Sequence, residues 1–148
     1  VDLLHAAGAE RARLLVLAID DPERTLETVR EVKRHWPHLR ILARARNRIN
    51  AQELLVAGVD AVQRETFDAA VSMGREALTR LGVHPYTALR RATLFANHDQ
   101  AQLRETAQHH GDLDSLVRQS TQAREQLAQL LRSDHEEDRE QKDAGWGT

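Results

Sequence analysis

A chain of 148 residues has room for one compact domain and an appendage. With 41% hydrophobic and 30% charged residues and a net charge of -2, it suits a soluble protein and lacks the basic excess of a dedicated nucleic-acid binder. It has no cysteine, which excludes disulfides, thiol catalysis and cysteine metal sites, and no run approaches the ~20 apolar residues of a membrane helix.

The first stretch, VDLLHAA, reads as the end of a helix closed by Gly8 in a left-handed cap. The chain starts with Val in helical pattern and without a signal peptide, so it is expected to be a piece of a longer protein. Leu14 to Ile19 (LLVLAI) is a continuous apolar run of the kind found in strands buried on both faces of a parallel sheet. It ends at Asp20-Asp21-Pro22-Glu23, where an Asp cap, a first-turn Pro and a first-turn Glu predict a helix start. That helix runs to about His35, with Leu26, Val29, Val32 and Trp36 on one face. After Pro37, Leu39 to Ala45 is a second strand. Asn47 caps the next helix, which carries Leu54 and Leu55 and stops at Gly58. Val59 to Val62 is a short third strand.

Helix 66–81 is periodic through Phe67, Ala70, Val71, Gly74, Ala77, Leu78 and Leu81, and Gly82 closes it. A glycine on that stripe costs about 1 kcal/mol against Ala, which makes close packing at Gly74 the expectation. Pro85 starts a helix to about His109, and Gly111 marks another helix end. A last helix places Leu113, Leu116, Val117, Ser120, Ala123, Leu127, Leu130 and Leu131 in a short heptad pattern. The late helices either reach a second subunit or form a hairpin on their own domain. From Ser133 the chain is highly charged and is expected to fray. Alternating strands and helices with short connections predict an α/β fold, a partial doubly wound parallel sheet followed by long helices. The division expected is 1–82 for the sheet domain, 83–132 for a helical extension and 133–148 for a flexible tail.

Open parallel sheets bind ligands beyond the carboxyl ends of their strands. These ends deliver Asp20 and Asp21, then Arg44, Arg46 and Asn47, then Arg64 and Glu65. Arg there can clamp a carboxylate or phosphate, and Asp or Glu can take an amine or a ribose hydroxyl; capping and surface solvation are the plainer roles of each residue taken singly. A dinucleotide fold starts with a G-x-G-x-x-G loop, which is absent from these residues. Glu105 and His109 have a metal-ligand spacing, but no third ligand accompanies them, and no acid/base pair or nucleophile can be named, so an enzyme is not expected.

The segments VDLLHAAGAERARLLVLAIDDPE, HWPHLRILARAR and AGVDAVQRETFDAAVSMGREALTRLG, with Pro85, Tyr86 and Phe95–Asn97, resemble the regulatory domain of the Kef family of glutathione-gated potassium/proton antiporters. The resemblance spans about residues 1–110, and the RETF segment is its most specific part. It implies a domain of the K⁺-conductance-regulator type on the cytoplasmic face of the bacterial inner membrane, attached to a membrane antiporter domain and dimerised through its late helices. It also implies a possible ancillary flavin oxidoreductase, with no nucleic-acid partner. Glutathione would hold efflux shut, and glutathione adducts would open it. The family's ligand-contacting Arg and Asn fall on Arg64 and Asn97, with Arg46, Asn47, Glu65 and Phe67 in support. A regulatory Asp of the family is Asn47 here, a departure that removes the charge at that position. A nucleotide, NAD(H) or AMP, would lie on the Asp20 and Asp21 side and bind only together with residues upstream. Half of a nicotinamide-dependent oxidoreductase domain and a ligand-free helical dimerisation module are the competing readings.

Overall fold

The computed structural model describes residues 2–109 and 113–144, and of residues 113–120, 138 and 140–144 the backbone only. Val1, Gly111 and the residues after Ala144 lie outside this range, as do the heptad side chains of Leu113, Leu116, Val117 and Ser120. The elements run α1 (Asp2–Ala6), β1 (Leu14–Leu17), α2 (Pro22–His35), β2 (Arg40–Ala45), α3 (Arg48–Val56), β3 (Ala61–Arg64), α4 (Phe67–Arg80), α5 (Pro85–Gln108) and α6 (Leu113–Ala144). The three strands form a parallel sheet in the order β1-β2-β3, as the alternation of strand and helix predicts.

The chain divides into two compact units. The first comprises Val1–Asp68 with Leu103–His110, the second Ala69–Gln102 with Gly111–Thr148. This partition differs from a boundary at residue 82, because most of α4 groups with the late helices and the end of α5 groups with the sheet.

In the first unit, local chemistry sets the helix limits. Asp21 accepts from the backbone N–H of Glu23 (3.0 Å) and Arg24 (3.1 Å), and Pro22 opens α2. Asn47 accepts from Asn50 N–H at 2.9 Å and caps α3. Gly8, Gly58 and Gly82 close helices with φ of 84°, 99° and 94°, a region that costs other residues strain. Val29 and Val32 of α2 and Ala51 and Leu54 of α3 bury against Ile41, Ala43 and Ala45 of β2, joined by Leu17, Trp36, Leu39, Val59 and Leu103. Lys33 and Asp60 fasten the opposite strand ends. Lys33 Nζ donates to the Leu39 carbonyl (3.0 Å), and Asp60 accepts from Ile41 N–H (2.8 Å).

Two expectations about β1 and β3 are corrected. Leu14 and Val16 are 53% and 59% exposed, so β1 is covered on one face only, because α2 and α3 lie on the same side of the sheet. β3 begins two residues later than the apolar run, at Ala61, and runs through Arg64. Pairing with β2, in the register Ala45↔Arg64, carries the strand into its polar residues.

In the second unit, α4 buries no residue, although its apolar periodicity is strong. A Cβ at Gly74 would meet nothing within 4 Å, so close packing does not explain that glycine. α5 and α6 run antiparallel where Arg90 and Arg91, near the start of α5, pair with Asp134, near the end of α6; Asp134 is buried. Arg91 Nη2 also donates to His135 Nδ1 at 3.0 Å. α6 continues past Ser133 to Ala144, where the charge density of the sequence predicts fraying.

Candidate functional site

The carboxyl ends of β1, β2 and β3 converge on one edge of the first unit. Parallel partners point to the same face of a sheet and neighbours along a strand to opposite faces. The helix-covered face therefore carries Leu17, Ala43, Ala45 and, by register, Arg64. The open face carries Val16, Leu42, Arg44 and Gln63. The polar residues at this edge consequently divide into two groups.

The first group is an ion-pair network. Arg44 lies 3.4 Å from Asp20 through Nη2 and 3.2 Å from Glu65 through Nε. Arg46 Nη2 donates to the Asp20 carbonyl at 3.2 Å and sits 3.8 Å from its carboxylate. Glu65 follows the last residue of β3, and its N–H donates to the Ala45 carbonyl (3.0 Å), which turns its side chain toward Arg44. The contact from Arg44 Nε is one of charge, since this buried N–H lacks hydrogen-bond alignment with Glu65. Two arginines against two carboxylates make the network close to neutral.

These side chains line a shallow cleft with Ile19, Pro22, Thr25 and Asn50. Asn50 is a site residue that the sequence reading did not single out. It is 6% exposed, its Oδ1 accepts from Arg46 N–H at 3.1 Å, and its Nδ2 is buried without a partner among the described residues. The available signal was a polar side chain on the face of α3 that also carries Ala51 and Leu54. Thr25 is likewise buried and donates to the Asp21 carbonyl at 2.7 Å.

The second group is Arg64 with Phe67. The Arg64 guanidinium carbon lies 3.7 Å from the Phe67 ring centroid, a cation–π stack between the last residue of β3 and the first of α4. Both side chains are half-buried. Gln63 Nε2 donates to Asp68 Oδ2 and ties the same two elements.

The remaining candidate residues are more dispersed. Asp21 acts as the α2 cap and Asn47 as the α3 cap, each through its side-chain oxygen. Asn47 thus has a structural role that needs an acceptor and no charge. Asn97 and Phe95 lie on α5 in the second unit and are exposed. Glu105 and His109 meet only through backbone, His109 Nδ1 donating to the Glu105 carbonyl at 2.9 Å. Among the described residues no three His, Asp or Glu side chains gather to hold a metal ion, and no helix is long and apolar enough to cross a membrane.

A parallel three-stranded sheet with its polar groups gathered at the carboxyl edge, followed by long helices, is a partial Rossmann-like fold. Comparison with known families gives the same class: residues 1–65 match the TrkA-N domain, and residues 69–145 match the C-terminal domain of the potassium efflux system KefB. The Kef C-terminal domain of Shewanella denitrificans, solved in an AMP-bound form, is 50% identical, with 74% of this chain and 70% of that chain aligned at a TM-score of 0.68. The chain belongs to the family of Kef C-terminal domains and is a regulatory domain of a potassium efflux system.

Proposed function

We propose that this domain senses glutathione and its adducts and gates the efflux of potassium in exchange for protons by the membrane antiporter domain to which the family's members are joined, on the cytoplasmic side. The observation that carries the reading is the placement of Arg64. It closes β3 at the carboxyl edge of the sheet, its guanidinium lies over the Phe67 ring, and its side chain stays partly open to solvent. Glutathione offers two carboxylates, an amine and two amides. A fixed guanidinium is the matching partner for a carboxylate, and Asn97 is the partner proposed for an amide. Asn47, as a neutral cap, leaves the edge one negative charge lower than the family's Asp would make it, which favours an anionic ligand. The role is regulatory, without catalysis.

Gating requires that glutathione and its adducts prefer different conformations of the same region. The test is titration calorimetry on the complete protein with potassium flux measured in parallel. Arg64→Ala is expected to weaken adduct binding by about tenfold or more, the loss of a charge-assisted hydrogen-bond pair. Adduct affinity and flux both unchanged in Arg64→Ala would overturn the assignment.

Nucleotide binding on the Asp20 side is a second reading, supported by the AMP-bound relative. Asp20 is engaged by Arg44 and Arg46, so a ribose or phosphate arriving there must exchange partners with that network. Association of two copies through the late helices is part of the same proposal, as is an ancillary flavin oxidoreductase in those systems that have one.

A further inference from the structure

We infer that Phe67 is a positioning residue that presents the Arg64 guanidinium to a carboxylate of the ligand; the inference rests on the reading of Arg64 as the ligand-binding arginine. Three contacts hold residues 63–68 in one shape. Glu65 N–H donates to the Ala45 carbonyl at 3.0 Å, which extends the strand pairing beyond Arg64. Gln63 Nε2 donates to Asp68 Oδ2 across the turn. Between these two ties, the Arg64 guanidinium carbon lies 3.7 Å from the centre of the Phe67 ring.

The stack has a chemical consequence for recognition. A guanidinium is planar, and its N–H donors all lie in its plane. An aromatic ring on its face fixes that plane while the edge keeps its fork geometry for a carboxylate. An arginine side chain has many rotamers, and fixing them on binding lowers affinity. Phe67 fixes them beforehand. Asp68, beside Phe67 at the start of α4, is tied back to β3 by the Gln63–Asp68 bond. The local order Arg-Glu-Thr-Phe therefore works as a unit: Arg64 reads the ligand, Glu65 turns to Arg44 on the other face, and Phe67 returns to hold Arg64. An aliphatic residue of similar size would fill the space without holding the guanidinium plane.

The experiment is calorimetry on the complete protein, with reduced glutathione and S-hexyl glutathione as probes and thermal unfolding recorded for each variant. Phe67→Leu is expected to weaken binding about threefold to tenfold, and Phe67→Trp to stay within about twofold of wild type. In an Arg64→Ala background Phe67→Leu should add no further loss, because the two residues act together. Phe67→Met, which also lacks a ring, should behave as Phe67→Leu and is the variant read if the latter fails to fold. Wild-type affinity in both aliphatic variants overturns the inference. So does an equal loss in the presence and absence of Arg64, which assigns Phe67 to packing alone. Both results leave the glutathione reading intact if Arg64→Ala itself binds weakly. Wild-type affinity in Arg64→Ala overturns that reading and this inference together.

Discussion

Arg64 and Glu65 are adjacent in the chain but serve different faces of the sheet. Strand alternation sends Arg64 to the helix-covered side with Phe67 and Glu65 to the open side with Arg44. The same strict dependence on position holds at the other end of the strands, where Asp60 gathers three roles. It accepts from Ile41 N–H, it pairs with Lys33 at 3.4 Å, and its carboxyl is held below its ordinary value of 3.8, chiefly by the Ile41 hydrogen bond and then by Lys33, against an opposing effect of burial. A carboxyl whose value is lower in the folded state binds protons more readily when unfolded. Its stabilisation is fully present above about pH 4 and is lost as pH falls through the lowered folded value. Asp60→Asn keeps an acceptor for Ile41 and removes the charge. It should flatten the acid side of the stability curve, checked by urea midpoints between about pH 3 and 6. An acid limb identical to wild type would remove Asp60 from the account.

Helices in this chain start and stop where capping chemistry puts them. Asp21 with Pro22, Asn47, and the positive-φ glycines 8, 58 and 82 all act within a few residues, so these limits were legible from local order. The reach of α6 was not. Its charged end looked too polar to stay helical, yet Asp134 there is buried between Arg90 and Arg91 of α5. That pairing joins residues 44 positions apart, a separation that no periodicity reports. Asp134→Ala would leave two arginines, each about a quarter exposed, facing a vacated pocket. A loss of about 2–3 kcal/mol is expected, below the full value for a deeply buried pair because water reaches both guanidinium groups. Helix content followed by circular dichroism through thermal unfolding checks it. A change under about 0.5 kcal/mol would show that the hairpin does not depend on the pair.

At the scale of the whole molecule, apolar surface is left uncovered on elements whose patterns call for burial. α4 buries none of its periodic residues, with Met73 74% exposed, and Leu81 just beyond the helix is 83% exposed. Large apolar side chains left uncovered on a periodic helix fit an interaction site. It supports the dimer proposed for this family member, and a sedimentation measurement decides it. The wild-type protein should associate in a concentration-dependent manner, and Met73→Asp with Leu81→Asp should shift it to monomer without lowering the unfolding temperature, since neither side chain packs in the chain alone. Association unchanged by the double substitution would place the contact elsewhere.

The order of strands and helices, their parallel arrangement and the polar carboxyl edge were determined by the amino-acid sequence itself, because apolar periodicity and capping act over a few residues. The family resemblance, too, is carried by sequence segments over about residues 1–110, of which RETF is the most specific. Only the tertiary structure decided how the edge is wired. Asp20, Arg44 and Glu65 are separated by 20 or more residues, and their meeting depends on strand register. Register likewise turns Arg64 away from Arg44 and carries β3 past Val62 through Arg64. A one-residue change in register exchanges the two faces of a strand, so side-chain roles at this edge are set by pairing between strands and cannot be read from any strand alone.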